Sequence, residues 1–294
     1  MSLLERSLSE GEFVVTTELT PPKGIDLTEL YANADYLKGH VHGINLTDSH
    51  RARMTVDPKA VAHLLLSRGI EPIVQITARD RNRIAIQADL LGASALGIEN
   101  FVFMTGDSPV GGDHPNAKAV FDLSTAEMLA AAEGLRLGRD MQGNELNGAP
   151  NLFLGAVANP AAKSLEAEIA NTQRKADNGA KFLQTQAIFE PARLETFMRS
   201  LQRDGVSVLA GVIPLKSAKM ARWLNANVPG IIVPEALLAE LDAAASIGCE
   251  EEVGIAIAAR VIRALRPICA GVHIMAIGWE RRIPQILAAG GIHR

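Results

Sequence analysis

With 294 residues, 48% hydrophobic and 21% charged, the chain has the composition of a globular protein with a large core. A net charge of −4, from 29 basic and 33 acidic residues, excludes the basic footprint of a nucleic-acid binder. Two cysteines exclude a disulfide framework and fit a reducing, cytoplasmic setting, and no apolar run reaches the roughly 18 residues of a membrane span.

The N-terminus, MSLLERSLSEGEF, carries acids and no apolar stretch, so it does not read as a signal peptide. The first strand is predicted at Phe13–Leu19, and Asp26–Glu29 as the cap and first turn of a helix. His42–Thr47 is the second strand. Asp57-Pro58 then opens a helix in the preferred order, cap residue before proline. Glu71–Thr77 is a short run rich in β-branched residues, the third strand. The polar turn 78–82 stops it. Apolar residues at Ile84, Ala88, Leu91, Ala95 and Leu96 then recur at helical spacing, and Phe101–Met104 is the fourth strand. Thr105-Gly106-Asp107 closes this βαβ unit, leaving polar residues just past each strand, where parallel α/β folds place their chemistry.

The loop that follows, 108–123, is too long for a tight turn and is expected to lie over the mouth of the fold. Ser124 caps the next helix, with Glu127 three residues on. Strands five to seven are predicted at Asn151–Ala158, Lys181–Ile188 and Ser207–Ile213, with helices near Ser164–Asn178 and from Pro191. Past a helix at Lys216–Leu224, a detour opens at Pro229 and carries helices near Glu235–Ile247 and Glu250–Arg266. Gly271–Ile277 is the eighth strand, and a short helix ends near Ala289. Eight strands, each followed by a helix, predict an α/β fold: one (β/α)8 TIM barrel over residues 1–294. A doubly wound open sheet is the alternative; no G-x-G-x-x-G opens any of these helices.

On a barrel, strand C-termini converge on one mouth, so the residues there are the candidates for chemistry. Glu18 ends an apolar strand. Burial there would raise its pKa and make it a general acid; the plainer reading is an exposed glutamate or a partner of Lys23. Asp107 follows Gly106 and can approach a ligand, or can serve as a turn or cap residue. Gln184 and Gln186 share a strand face, as ligand contacts or as a buried hydrogen-bonded layer. Arg79, Asp80, Arg81 and Arg83 read as a solvated ion-pair turn, or as one arginine contacting a phosphate or carboxylate. Thr47, Asp48, Thr77 and Asn159 also lie at strand ends. The histidines form no metal pattern, and His273, inside an apolar strand, reads as a core histidine.

The segments TTELTPP, QITARDRNRIAIQADLLGASALGIEN, MTGD and QRKADNGAKFLQTQ together resemble the methylenetetrahydrofolate reductase family, from Phe13 to about Leu287. The resemblance implies a flavin at the barrel mouth with a reduced pterin stacked on it. It also implies reduction of 5,10-methylenetetrahydrofolate to the 5-methyl form. Glu18 matches the family's acid, and Asp107 the aspartate near flavin and pterin. Gln186 matches a folate contact, with Gln184 beside it. Thr47, Gln75, Thr77, Thr105, Gly106 and Lys175 match the flavin side. The implied cofactor is FAD rather than FMN, with NAD(P)H or a partner redox subunit as electron donor, and the expected assembly is a homo-oligomer that binds neither nucleic acid nor membrane. Two positions depart from many members: Gln75 stands where they carry histidine, and Thr105 where they carry arginine. A pterin-binding methyltransferase and a folate-binding subunit without its own electron supply are the alternatives. The whole reading expects Glu18 and Asp107 to open into one cup.

Overall fold

The computed structural model describes residues 1–201, 203–228 and 230–293; Pro229, read above as opening the detour, lies outside them. Among these residues the eight apolar runs form parallel strands that close into a barrel in chain order. They are β1 (Val14–Leu19), β2 (Gly43–Leu46), β3 (Pro72–Thr77), β4 (Asn100–Met104), β5 (Phe153–Ala158), β6 (Phe182–Ala187), β7 (Ser207–Val212) and β8 (Gly271–Ile274). Pairing of Val14 with Gly271 and Thr16 with His273 joins β8 back to β1. The expected strands stand, trimmed at their ends; β8 stops at Ile274, and Ile277 beyond it has a φ of +48°.

The outer ring comprises α2 (Thr28–Leu37), α3 (Pro58–Leu66), α4 (Arg83–Ala95), α5 (Thr125–Arg136), α6 (Leu165–Asp177), α7 (Pro191–Leu201), α8 (Ala218–Asn227), α9 (Glu235–Ile247), α10 (Glu250–Leu265) and α11 (Ile283–Ala289). Their starts follow from local chemistry. Asp57 accepts from the Lys59 N–H ahead of Pro58, Asn82 caps α4, and Ser124 with Glu127 forms a reciprocal capping box on α5. No helix among the described residues is long and apolar enough to cross a membrane.

One helix is absent from the sequence reading. α1 (Leu3–Ser9) lies across the end of the barrel away from the strand C-termini. Ser2 caps it by accepting from the Glu5 N–H, and donates its own hydroxyl to Asn100 at 2.6 Å. Leu4 is fully buried there against Val14, Ile73, Val102, Phe153, Phe182 and Leu209.

Strand side chains alternate between two cores. Val15, Val74, Phe101, Leu154, Leu183 and Val208 face the helices, while Val14, Ile73, Phe153, Phe182 and Leu209 fill the barrel floor. Four apolar residues of the floor sit beside strand glycines. At Gly155 an added Cβ would lie 2.4 Å from the Phe182 ring, which is itself stacked on Phe153 with 5.1 Å between centroids. Gly155→Ala is therefore expected to lower stability by about 1–3 kcal/mol through overpacking, read as a fall in the denaturant midpoint. An unchanged midpoint would show that the floor is looser than its geometry.

Candidate functional site

Above the apolar floor the barrel interior turns polar. Asn45 of β2 and Gln184 of β6 exchange hydrogen bonds, at 2.7 Å from Asn45 Nδ2 to Gln184 Oε1 and 3.0 Å in return. Gln184 Nε2 also donates to Thr16 Oγ1 at 3.3 Å, and Thr16 Oγ1 lies 2.9 Å from His273 Nδ1. Because Thr16 accepts from Gln184, its hydroxyl proton is free for Nδ1, and the chain assigns the imidazole proton to Nε2. That nitrogen lies 3.6 Å from the Glu18 carboxylate. Gln184 thus takes the layer role, with both ends of its amide engaged inside the barrel.

Glu18 is one-fifth exposed at the top of this column. Its pKa was expected to be raised, and here the structure corrects the sequence reading. Burial does push it up, and is the largest single influence. The His273 hydrogen bond, electrostatic attraction to the His273 and His50 rings, and a hydrogen bond with Gln75 together outweigh burial and leave the carboxyl below its ordinary value. Lys23, offered as its plain partner, instead pairs with Asp113. His273 is the buried, hydrogen-bonded histidine expected, and its second ring nitrogen faces Glu18.

A second constellation fixes the β2 and β3 ends. Buried Asp48 accepts from the Thr77 N–H at 2.9 Å, from the Thr77 hydroxyl at 2.8 Å and from Arg81 Nη1 at 2.6 Å. Arg81 also donates to Asp89 of α4 at 2.7 Å. Burial works against the Arg81 charge, but Asp48 and Asp89 raise its pKa above the ordinary value. Arg79 is only 3% exposed and donates to Asp80 and to the Ser49 carbonyl. Arg83 pairs with Asp122. Arg79 and Arg81 are therefore largely buried, Arg81 in the Asp48 clamp, where a solvated turn was expected, while Asp80 and Arg83 stay exposed in their ion pairs as that reading had them.

The remaining predicted residues sit around the same rim. Thr47 is buried, and its hydroxyl has no partner. Thr105 and Asp107 are exposed beyond β4, and Gly106 has a φ of +88°. Asp107 does not cap the short 3-10 turn Pro109–Gly111; Ser108 does. Lys175 is buried and donates to the Val157 carbonyl at 2.7 Å. Burial pushes its ammonium below its ordinary pKa, Glu168 opposes that, and Arg174 adds to it. Gln186 sits at a register shift between β6 and β7, its Oε1 accepting from the Ala187 N–H at 3.3 Å. The shift interrupts the alternation that put Gln184 and Gln186 on one face.

A cleft of about 570 Å³ opens beside Glu18, walled by Pro21 and Pro22, the first half of α2, His50, and the 277–280 turn. Asp107 is on the same end of the barrel but is not among its walls. The loop after β2 arches over the mouth: Ser49, Arg51 and Ala52 all have positive φ, 46°, 55° and 54°. It packs so tightly on the loop after β4 that a Cβ on Gly112 would lie 1.9 Å from the Ala52 carbonyl oxygen. Among the described residues no group of side chains is placed to hold a metal ion.

The flavin implied by the resemblance can be tested on these side chains. A flavin ring needs donors for its carbonyls and nitrogens. Thr47 supplies an orphaned hydroxyl, and Lys175 uses one hydrogen bond where an ammonium has three N–H groups. At Gly106 a Cβ would lie 3.0 Å from Thr77 Cβ and 3.1 Å from Arg79 Cβ, so that glycine serves packing within the chain and says nothing for the ring. Thr47 and Lys175 fit the ring. The arginines nearest the turn are already committed to carboxylates.

Thr16, Asn45, His50, Asp48 and His273 are the site residues whose roles the sequence reading missed. Thr16, Asn45 and His273 had a signal: strand parity puts them on the Glu18 face. His50 had none, because a left-handed loop positions it.

Residues 3–291 match the family described as "Methylenetetrahydrofolate reductase". The "Probable methylenetetrahydrofolate reductase (NADPH)" of Caenorhabditis elegans is 24% identical over 193 residues, covering 65% of this chain but only 27% of the worm protein. An uncharacterized Clostridium thermocellum protein that "binds two copies of 5-methyl-5,6,7,8-tetrahydrofolic acid" superposes with a TM-score of 0.60, at 16% identity over 98% of both chains. EDTA monooxygenase (EmoA) from Chelativorans sp. BNC1 gives 0.59 at 11% identity, covering 95% of this chain and 93% of its own. At these identities the structural likeness is one of fold.

Two measurements probe the site. His273→Phe removes influences that lower the Glu18 pKa and leaves burial, so the carboxyl should titrate at higher pH, read by its infrared band; a downward shift would contradict the column. Asp48→Ala leaves Arg81 buried beside Asp89 alone and should cost about 3–5 kcal/mol in unfolding free energy. A loss below about 1 kcal/mol, the range of an exposed pair, would mean the clamp is solvated.

Proposed function

The chain belongs to the methylenetetrahydrofolate reductase family, and on that premise we propose that it reduces the methylene bridge of 5,10-methylenetetrahydrofolate to a methyl group, with Glu18 as proton donor. The observation that carries this reading is the Glu18 column: a carboxylate at the mouth, held by His273 and Gln75 above a hydrogen-bonded polar layer.

Glu18 must be protonated to act, yet its pKa is lowered while water reaches it. A pterin filling the cleft removes that water. Burial, already the largest influence on the group, then grows at the expense of the ionised form, and the carboxyl takes up a proton where it is needed. Protonating the bridge nitrogen that leaves opens the five-membered ring to an iminium cation. His273, fixed by Thr16 through Nδ1, holds Nε2–H toward the carboxylate that remains. The Asn45–Gln184 pair keeps Thr16 in place.

Thr47 and Lys175 would hold the flavin ring, with the 105–107 turn at its edge. A bound reduced flavin supplies hydride to the cation. FAD is the form we propose, with NAD(P)H as its reductant. A second reading, a folate-binding subunit that takes electrons from a partner protein, draws on the committed arginines near the turn, which leave no free guanidinium there for a dinucleotide's phosphates.

The test is turnover of methylenetetrahydrofolate by the purified protein supplied with FAD or FMN, beside Glu18→Gln. The variant should bind folate but turn over about 10²–10⁴-fold more slowly. A variant within a few-fold of the parent would remove Glu18 as the acid. A protein that quenches the fluorescence of neither flavin would favour the partner-fed reading.

A further inference from the structure

Among the described residues most imidazoles are committed. His42 Nδ1 accepts from the Val15 N–H, His63 Nδ1 lies 3.0 Å from the Leu96 carbonyl, His114 pairs with Asp113, and His273 is held by Thr16. His50 is not: its exposed ring has no hydrogen-bond partner among the described residues. Its place is nonetheless fixed. Ser49, Arg51 and Ala52 around it take left-handed conformations, which persist only where surrounding structure holds them and which gather at functional sites. Of the loop between Asp48 and Pro58, His50 alone walls the cleft beside Glu18. It also walls a second cleft of about 570 Å³ that shares Thr20 and Pro21 with the first, so the ring stands between the two. On the Glu18 side the other ionisable walls are Asp26, Glu29 and Glu280; Asp26 accepts from the Thr28 N–H, Glu280 from the Gly278 N–H, and Glu29 is exposed. On the far side are Lys23, Arg51, Arg53 and Asp113, of which Asp113 pairs with Lys23 and His114. Glu18 is the carboxylate that faces His50 from the barrel interior, and the two attract across the cleft without a hydrogen bond or ion pair between them.

The proposed reaction calls for a proton on Glu18 just as a pterin shuts water out, and the groups that hold Glu18 do not release one. The Gln75 amide carries no proton it can give up near neutrality. His273 takes the Thr16 hydroxyl at Nδ1, so surrendering its Nε2–H would leave an imidazolate. We propose that His50 loads Glu18: its imidazolium gives a proton to a water caught between the two side chains, that water gives one to the Glu18 carboxylate, and the neutral ring regains a proton from solvent through the second cleft. One N–H bond breaks and one carboxyl O–H bond forms, the water is unchanged, and nothing is oxidised or reduced. Histidine is the side chain whose charge changes between about pH 5 and 8, which suits a relay near neutrality. The transfer also removes its own opposition, since a neutral ring no longer attracts the anion it has just discharged. The inference rests on the proposed function and names the residue that supplies its proton. His50 acts through Glu18, not on the substrate itself.

The experiment compares turnover of methylenetetrahydrofolate by the flavin-supplied parent and by His50→Ala, with and without added imidazole. The variant should keep KM within about twofold, lose about 10²-fold in kcat, and regain most of that loss as imidazole is added, in step with the imidazolium fraction of the buffer. An unchanged kcat overturns the relay. So does a loss carried by KM alone, which makes His50 a substrate contact. A loss of kcat that imidazole leaves untouched, in a variant folded by circular dichroism, overturns it too and makes the ring a spacer. Should the variant fail to fold, the parent decides. As 5-methyltetrahydrofolate fills the cleft, the ring-nitrogen NMR signals of His50 should move toward those of neutral imidazole while the Glu18 carboxyl band grows in the infrared; ring signals that stay in place overturn the proposal. A parent that turns over no methylenetetrahydrofolate removes the functional reading and the relay with it, a result distinct from parent and variant turning over alike.

Discussion

The hydrogen-bonded column inside the barrel is the constraint on which the rest depends. A closed eight-stranded barrel has an interior that must be filled, and every inward polar atom there must find a partner inside it. This chain fills the floor with apolar side chains and the level above with Thr16, Asn45, Gln184 and His273, each satisfied by another. The layer is more than filler. Its last free donor points at Glu18, so the satisfaction of the interior and the ionisation of the mouth are one network. Losing any member would strand a buried polar atom on its neighbour, at a cost of about 1–3 kcal/mol, before any chemistry is considered.

The Asp48 clamp does for the rim what the column does for the interior. By holding Thr77 and Arg81, it ties the end of β2 to the end of β3 and to the first turns of α4. The chain leaving Asp48 is therefore fixed in direction and turns back over the mouth through three left-handed residues. Non-glycine residues adopt that conformation at a cost, which surrounding structure must offset. Here the offsetting contacts are the Arg79 hydrogen bond to the Ser49 carbonyl, the packing of Gly112 on Ala52, and Arg51 over Trp223. The result is a loop that brings His50 to Glu18 and turns Arg51 and Arg53 to the neighbouring groove.

Much of the fold was legible because strands buried on both faces read as apolar runs and helix caps are local chemistry. Asp57-Pro58 and Ser124-x-x-Glu127 formed the caps their order announces. α1 was not read, although Ser2 three residues before Glu5 and the Leu4–Leu8 spacing carried the signal. The candidate site was legible one residue at a time, since strand ends can be read off, but its electrostatics were not. Whether Glu18 is pushed up or down is decided by His273, 255 positions away, and by Gln75 and His50 from other elements. A single glutamate in an apolar strand looks like a raised carboxyl; only closure of β8 onto β1 supplies the donor that reverses it. The arginine turn misled for a related reason. Local charge density looks solvated until Asp48, from another strand, takes the charge inside.

The direction of the Glu18 shift bears on how such a site would time its proton. An acid with a pKa raised at all times would hold its proton whether or not a substrate were present. Here the same carboxyl is stabilised as an anion while one-fifth of it meets water, and the influence that opposes this, burial, is the one a flat ligand increases. On the proposed reading, the pterin does not meet a waiting acid but creates one by covering it. His273 then has two tasks in sequence: it holds the empty site ionised, and it receives the carboxylate again once the proton has left. A hydrophobic pocket of the same shape could do the first half of the chemistry, but without the column beneath it nothing would restore the starting charge.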